Sequence, residues 1–225
     1  LAHSAASQNH SVKLEWVESA DFEQNQSKLE KLEKYNGIIV PGGFGKRGSE
    51  GIMLASDYAR KKSIPFLGLC FGFQLSLIAF ARYVCGLKDA NSIELDPKTK
   101  NPIINILPSQ KKVTEKGGSM RLGGHDIEIV SNTKAHKIYN KNKIRQRHRH
   151  RFEFNIKYQK LLEKNKMILS GFSDNNKRTE ILEIPDHPFY MATQYHPDFL
   201  NNPREPEPIY YNFIKAIINR KNGKQ

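Results

Sequence analysis

The 225-residue chain has an ordinary composition for a globular protein, 38% hydrophobic and 26% charged, with a net charge of +13 and a pI near 9.6. That length suits one large domain with a full core, and no apolar run reaches the roughly 18 residues that a membrane-spanning helix needs. Two cysteines, Cys70 and Cys85, are too few for a disulfide framework and, with no signal peptide in view, favour a reducing, cytoplasmic setting.

From the N-terminus, residues 12–17 predict a strand. Residues 27–35 (SKLEKLEKY) predict a helix, with Leu29 and Leu32 three apart. GIIVPGG is a short β-branched run closed by turn residues, and residues 50–61 have helical spacing. IPFLGL is a third apolar strand, and FQLSLIAFARYV continues as a helix. Strand and helix alternating in this way predict βαβ units on a parallel sheet buried on both faces. Further on, residues 103–107, 126–130, 147–154, 167–172, 181–184 and 189–194 predict strands, and residues 134–139, 158–165 and 209–220 predict helices. The expected fold is α/β, a mostly parallel central sheet flanked by helices with added antiparallel strands.

Within FLGLCFG, Cys70 stands between Gly68 and Gly72 where a strand turns into a helix. This is the spacing of a nucleophile elbow, with Cys in place of Ser. So tight a turn strains the nucleophile's backbone, and the flanking glycines remove Cβ clashes. The helix N-terminus favours a thiolate. Cys85 has no such setting and reads as a packing residue. His196, in ATQYHPDF, lies just past an apolar strand and is the candidate base, with Asp198 two residues on to orient it. PGGFGKRG follows a strand but lacks the Walker spacing, so it can offer backbone N–H groups to a phosphate or to an oxyanion. RQRHRHRFEFN, residues 145–155, alternates as a strand would. Arg147, Arg149, Arg151 and Glu153 are expected on one face, with His148, His150, Phe152 and Phe154 on the other. Interleaved arginines argue against a metal there. Lysines scattered along the whole chain, without a long block, predict a solvated surface rather than a nucleic-acid footprint.

In this order, PGGFGKRG, GLCFGFQ, FARYVCGLKDANSIELDP, GGSMRLG, RHRHRFEFN and DHPFYMATQYHPDF closely resemble the class I glutamine amidotransferase domain of CTP synthases. The likeness runs from about Val12 to the last helix and implies one domain over residues 1–225, of the flavodoxin-like amidotransferase type. It implies that Cys70 attacks the carboxamide of L-glutamine, with His196 as base and then acid. Gly43 and Phe71 would supply the oxyanion-hole N–H groups. Phe71, Gly72, Phe73, Gln74 and Glu94 would surround glutamine, and Arg151 would meet its α-carboxylate.

The resemblance also implies a covalently linked synthetase domain, a homo-tetramer, ATP and magnesium used only in that other domain, and GTP as activator of the whole enzyme. No cofactor or metal, nucleic acid or membrane is expected for this domain. The chain starts at Leu1 and lacks the family's first strand and helix, as expected of a piece of a longer protein. The third triad member is Asp198 where the family has Glu, and Phe71 and Phe73 stand where it has Leu and Met. Another class I amidotransferase, or a catalytically weak regulatory domain, remains an alternative.

Overall fold

This computed structural model describes residues 1–106 and 120–223. In chain order its elements are α1 (Ala2–Ala6), α2 (Ala20–Gln24), a 3-10 helix (Gln26–Lys34), β1 (Ile38–Val40), α3 (Ser49–Lys61), β2 (Phe66–Leu69) and α4 (Phe71–Tyr83). There follow β3 (Ala90–Ser92), β4 (Asn101–Ile106), β5 (Arg121–Ile129), α5 (Lys134–Tyr139), β6 (Lys143–His150) and β7 (Phe152–Phe154). The chain closes with α6 (Gln159–Lys164), β8 (Ile168–Ser173), β9 (Arg178–Glu183), β10 (Tyr190–Thr193) and α7 (Pro208–Lys221).

A seven-stranded sheet has the order β1-β2-β10-β9-β8-β5-β6, and a three-stranded sheet has the order β3-β4-β7. Strands β1, β2 and β10 run parallel, and from β10 to β6 every neighbouring pair is antiparallel. The α/β class therefore holds, but the mostly parallel sheet expected from the sequence is a mixed one: only the β1–β2 and β2–β10 pairings are parallel, gathered at the end of the sheet that carries Cys70, because the later strands follow one another as antiparallel neighbours. β2 is buried along its whole length, as a central parallel strand should be. Helix α4 is mostly apolar and buried from Phe71 to Ala81, because it lies between the two sheets. On the opposite face of β2 and β10, Leu67, Leu69 and Met191 pack with Ile209 and Phe213 of α7.

Three expectations need correction. Residues 12–17 form no strand and join no sheet. Alternation supplies a strand's shape, not its partner, and Trp16 is 90% exposed. Instead the segment is held by Glu15, which accepts from Lys34 Nζ (3.2 Å) and Tyr35 Oη (2.8 Å). The SKLEKLEKY segment forms a 3-10 helix rather than an α-helix. Its leucines are three apart, the repeat of a 3-10 turn, and both are buried beside Phe22 and Ala55. The strand at 147–154 breaks at Arg151, leaving β6 in the large sheet and β7 in the small one. Part of the 103–107 strand (Leu107) and part of GGSMRLG (residues 117–119) lie outside the described residues.

Candidate active site

Cys70 bridges β2 and α4 with φ +51° and ψ −94°, a left-handed conformation that a side chain adopts only when its surroundings impose it. Its N–H donates to Thr193 O at 2.7 Å, which ties the turn to β10. A Cβ on Gly68 would sit 2.8 Å from the Gly72 backbone, and one on Gly72 would sit 2.5 Å from Val40 O. Both glycines are therefore steric requirements of the elbow. The thiol is buried, and its Sγ lies 3.8 Å from both Arg149 O and Gln194 Nε2.

His196 follows β10, and its N–H donates to Arg147 O of β6 at 2.9 Å. Its Nδ1 is 3.6 Å from Asp198 Oδ1, an ion pair longer than a hydrogen bond. That length fits a carboxylate one methylene short. Nε2 is buried with no hydrogen-bond partner among the described residues. Asp198, then Cys70, push the imidazole up to about 9, while His196 holds the Asp198 carboxyl below its ordinary range.

The loop after β1 closes the site. A Cβ on Gly42 would come within 2.9 Å of His196 Cε1, and one on Gly43 within 3.4 Å of Phe71 Cδ1. The loop thus lies against both His196 and the start of α4. Phe71 N–H, the first of α4, has no acceptor within its helix, so the loop and the helix end can present N–H groups together. Glu94 Oε1 accepts the Gly45 N–H at 3.1 Å, and burial pushes this carboxyl up.

The segment 149–152 passes over the same turn. Arg149 O meets Cys70 Sγ, and Phe152 O accepts from Gln74 Nε2 at 3.0 Å, with Arg151 between them. Cys70, His196, Asp198, Gly43, Phe71, Gln74, Glu94 and Arg151 are therefore linked by direct contacts or by short runs of chain. Gly72 abuts Val40, and Phe73 is fully buried in the α4 core, where it offers a ligand no exposed surface. Sequence reasoning missed Gln194. The available signal was a polar side chain at the end of an otherwise apolar strand.

The basic stretch divides as expected only as far as His150: Arg147 and Arg149 are exposed, and His148 and His150 are buried. Glu153 lies beyond the break at Arg151 and pairs with Arg178 at 2.7 Å, where burial pushes it up to about 7. His148, His150 and Glu180 bring donor atoms within 4.8 Å of one another. Arg121 Nη1 already sits 2.5 Å from Glu180 Oε1 and 3.4 Å from His148 Nδ1, so a cation placed there would face a guanidinium. Burial holds both imidazoles neutral, His150 down at about 3.

No helix among the described residues is long and apolar enough to cross a membrane. The family model described as glutamine amidotransferase class-I matches residues 1–216. The CTP synthase of Thermococcus gammatolerans is 46% identical over 224 residues, which are 99% of this chain and 42% of that protein. The CTP synthase of Moorella thermoacetica is 45% identical over 99% of this chain and 41% of its own length. Among solved structures, the glutaminase domain of Trypanosoma brucei CTPS with bound acivicin superposes with a TM-score of 0.90 at 33% identity, over 96% of this chain and 84% of that one. A glutamine amidotransferase of Thermotoga maritima, 14% identical with a TM-score of 0.52 over 96% of this chain and 88% of its own, shares the fold.

Proposed function

The chain belongs to the class I glutamine amidotransferase family, in the branch of the CTP synthase glutaminase domains, and from that premise we propose that it hydrolyses L-glutamine to glutamate and ammonia through Cys70, His196 and Asp198. The observation that carries the proposal is a strained cysteine at a helix start, beside a histidine raised to about 9 and a glycine loop touching both. An imidazolium at neutral pH favours a thiolate partner.

The thiolate attacks the carboxamide carbon, and the C=O electron pair moves to oxygen beside the Gly43 and Phe71 N–H groups. Collapse breaks the C–N bond. The departing nitrogen takes the His196 Nε2 proton, leaving ammonia, a neutral imidazole and a glutamyl thioester. Water then gives a proton to His196 and its oxygen to the thioester carbon. Glutamate leaves, and the thiolate–imidazolium pair is restored. The test is mass spectrometry after treatment with 6-diazo-5-oxo-norleucine: a single adduct on Cys70 is expected, and labelling confined to Cys85 overturns the reading.

Glu94 would meet the substrate ammonium and Arg151 its carboxylate. Since Glu94 also holds Gly45, its two functions separate by substitution. Glu94→Gln keeps an acceptor for the Gly45 N–H and loses the charge, so KM should rise with little change in kcat. Glu94→Ala loses both, so KM should rise and kcat should fall, with glutamine binding weaker by about 1.5–3 kcal/mol. Steady-state glutamine kinetics decide, and equal kcat in the two variants removes the loop-holding function.

A second reading, a catalytically weak domain, is favoured by the 3.6 Å His196–Asp198 distance. Asp198→Asn should lower the His196 titration from about 9 and cut turnover by on the order of 10- to 100-fold. Because the imidazolium is the proton donor, activity is lost as pH rises through its pKa, so the alkaline limb of the rate profile should move to lower pH. Asp198→Glu should keep or raise turnover. Unchanged turnover in Asp198→Asn would support the weak-domain reading.

The chain spans about two fifths of the length of the curated relatives it matches. The whole protein's activity is in this reading the amination of UTP to CTP, by a linked synthetase domain using ATP and magnesium, with GTP as activator and a homo-tetramer as the assembly. The glycine loop would be one conformational ensemble, its competent member selected by that domain. If this member is about 1% populated alone, glutamine turnover should rise up to roughly 100-fold in the full protein with UTP, ATP and GTP. Equal rates with and without the other domain would refute the coupling while leaving the glutaminase assignment standing.

A further inference from the structure

We propose that Gln194 is a catalytic residue whose side-chain N–H stabilises the Cys70 thiolate, in an orientation dictated by Gln74. It rests on Cys70 being the nucleophile. The orientation follows from a chain of obligatory donors and acceptors. Phe152 O is a carbonyl and can only accept, so the Gln74 group 3.0 Å from it is the amide NH2. The same nitrogen lies 3.2 Å from Gln194, so the Gln194 atom at that contact is the amide oxygen. The other end of the Gln194 amide, Nε2, therefore faces Cys70 Sγ, at 3.8 Å.

The frame around this amide is buried and tied to the sheet. Gln194 is 1% exposed and Gln74 4%. The Gln194 backbone N–H is fixed to Glu180 O of β9 at 2.9 Å, and Cys70 N–H to Thr193 O one residue earlier. The two polar neighbours of the sulfur act in opposite senses. Arg149 O can accept from a thiol, but it offers nothing to a thiolate except repulsion. Gln194 N–H is worth more to a thiolate, because hydrogen bonds to ions are the stronger ones. The amide thus favours the ionised sulfur at a position where the backbone carbonyl favours the neutral one. Gln74 acquires a function before any substrate arrives: its NH2 is committed to Phe152 O and Gln194.

The test is carbamidomethylation of the purified chain by iodoacetamide between about pH 5 and pH 10, read by peptide mass spectrometry at Cys70 and Cys85 separately. The proteins are the parent, Gln194→Leu and Gln194→Glu. His196, backed by Asp198, is the ionisable neighbour of the sulfur in all three, so a difference between them belongs to position 194. The pH midpoint at Cys70 should rise by about one unit in Gln194→Leu, which is about tenfold slower alkylation on the acid side. It should rise further in Gln194→Glu, where a like charge opposes the thiolate. Cys85 should be unchanged. Cys70 profiles that superimpose on the parent in the variants overturn the proposal. Should Gln194→Leu not fold by circular dichroism, the isosteric Gln194→Glu, which still accepts from Gln74, decides alone. A parent that alkylates only at Cys85 overturns instead the nucleophile assignment on which the proposal rests.

Discussion

Replacing Cys70 with alanine is expected to reduce glutamine hydrolysis by on the order of 10⁴-fold or more, the scale of removing a covalent nucleophile, while the chain keeps its fold. Alanine retains the Cβ, so the left-handed backbone at this position is neither relaxed nor further strained. What is removed is a sulfur with two long polar contacts, to Arg149 O and Gln194 Nε2. Thermal unfolding should therefore move little. Glutamine should still bind, because the groups proposed to hold its ends, Glu94 and Arg151, stand on other elements. Glutaminase assay and glutamine calorimetry on the same preparation separate the outcomes. Turnover within about tenfold of the parent would show that Cys70 is not the nucleophile. Cys85 is a poor substitute, since burial pushes its thiol up and away from the thiolate form.

The parts of this site that could be read from the sequence are those where geometry forces residue identity. The elbow is legible because a Cβ at Gly68 or Gly72 would strike backbone, so the turn writes glycine on either side of Cys70. His196 is legible because it stands at the end of an apolar strand. Glu94 and Arg151 came only from the family resemblance, since nothing in their local sequence marks a substrate clamp. Gln194 was missed because a single polar residue just past an apolar strand does not say what it meets; its importance lies in contacts with Gln74 and Cys70, which are 120 and 124 positions away. The break at Arg151 was invisible for a related reason. The alternation of 147–154 continues across it, and only pairing reveals that Phe152 and Phe154 face Ile106 and Ile104 of the small sheet, while 143–150 pair with β5. Residues 12–17 had the alternation of a strand, but a strand needs a neighbour that pattern alone cannot provide.

Arg121→Met is expected to destabilise the chain by about 3–5 kcal/mol near neutral pH, because it strands a carboxylate in the core. Glu180 is fully buried, and Arg121 Nη1 lies 2.5 Å from it. Ser173 Oγ also donates to Glu180 Oε1 at 2.5 Å, and His148 and His150 are neutral and supply no charge. Burial already pushes the Glu180 carboxyl up against the pull of Arg121. Without the guanidinium the folded-state pKa rises further, so the folded variant binds a proton that the unfolded chain releases. A raised carboxyl pKa favours folding below the unfolded value and loses that contribution as pH rises through the folded one. The deficit should therefore be small near pH 4 and grow toward pH 8, as read from urea midpoints across that range. Adding Glu180→Gln removes the stranded charge and keeps an acceptor for Ser173, so the double variant should recover most of the loss. A deficit independent of pH, or unrelieved in the double variant, would mean that Arg121 acts through packing. The same core bears on the active site from behind. Glu180 O holds the Gln194 N–H, and Phe152 O takes both the Gln74 amide and His150 Nδ1, the latter at 2.9 Å. His150 therefore carries its proton on Nδ1 and presents the Nε2 lone pair to His148 Nδ1 at 3.1 Å. Loosening the ion pair would thus reach Cys70 through its amide partners, and in Arg121→Met the alkylation of Cys70 should slow at pH values where the fold is still intact.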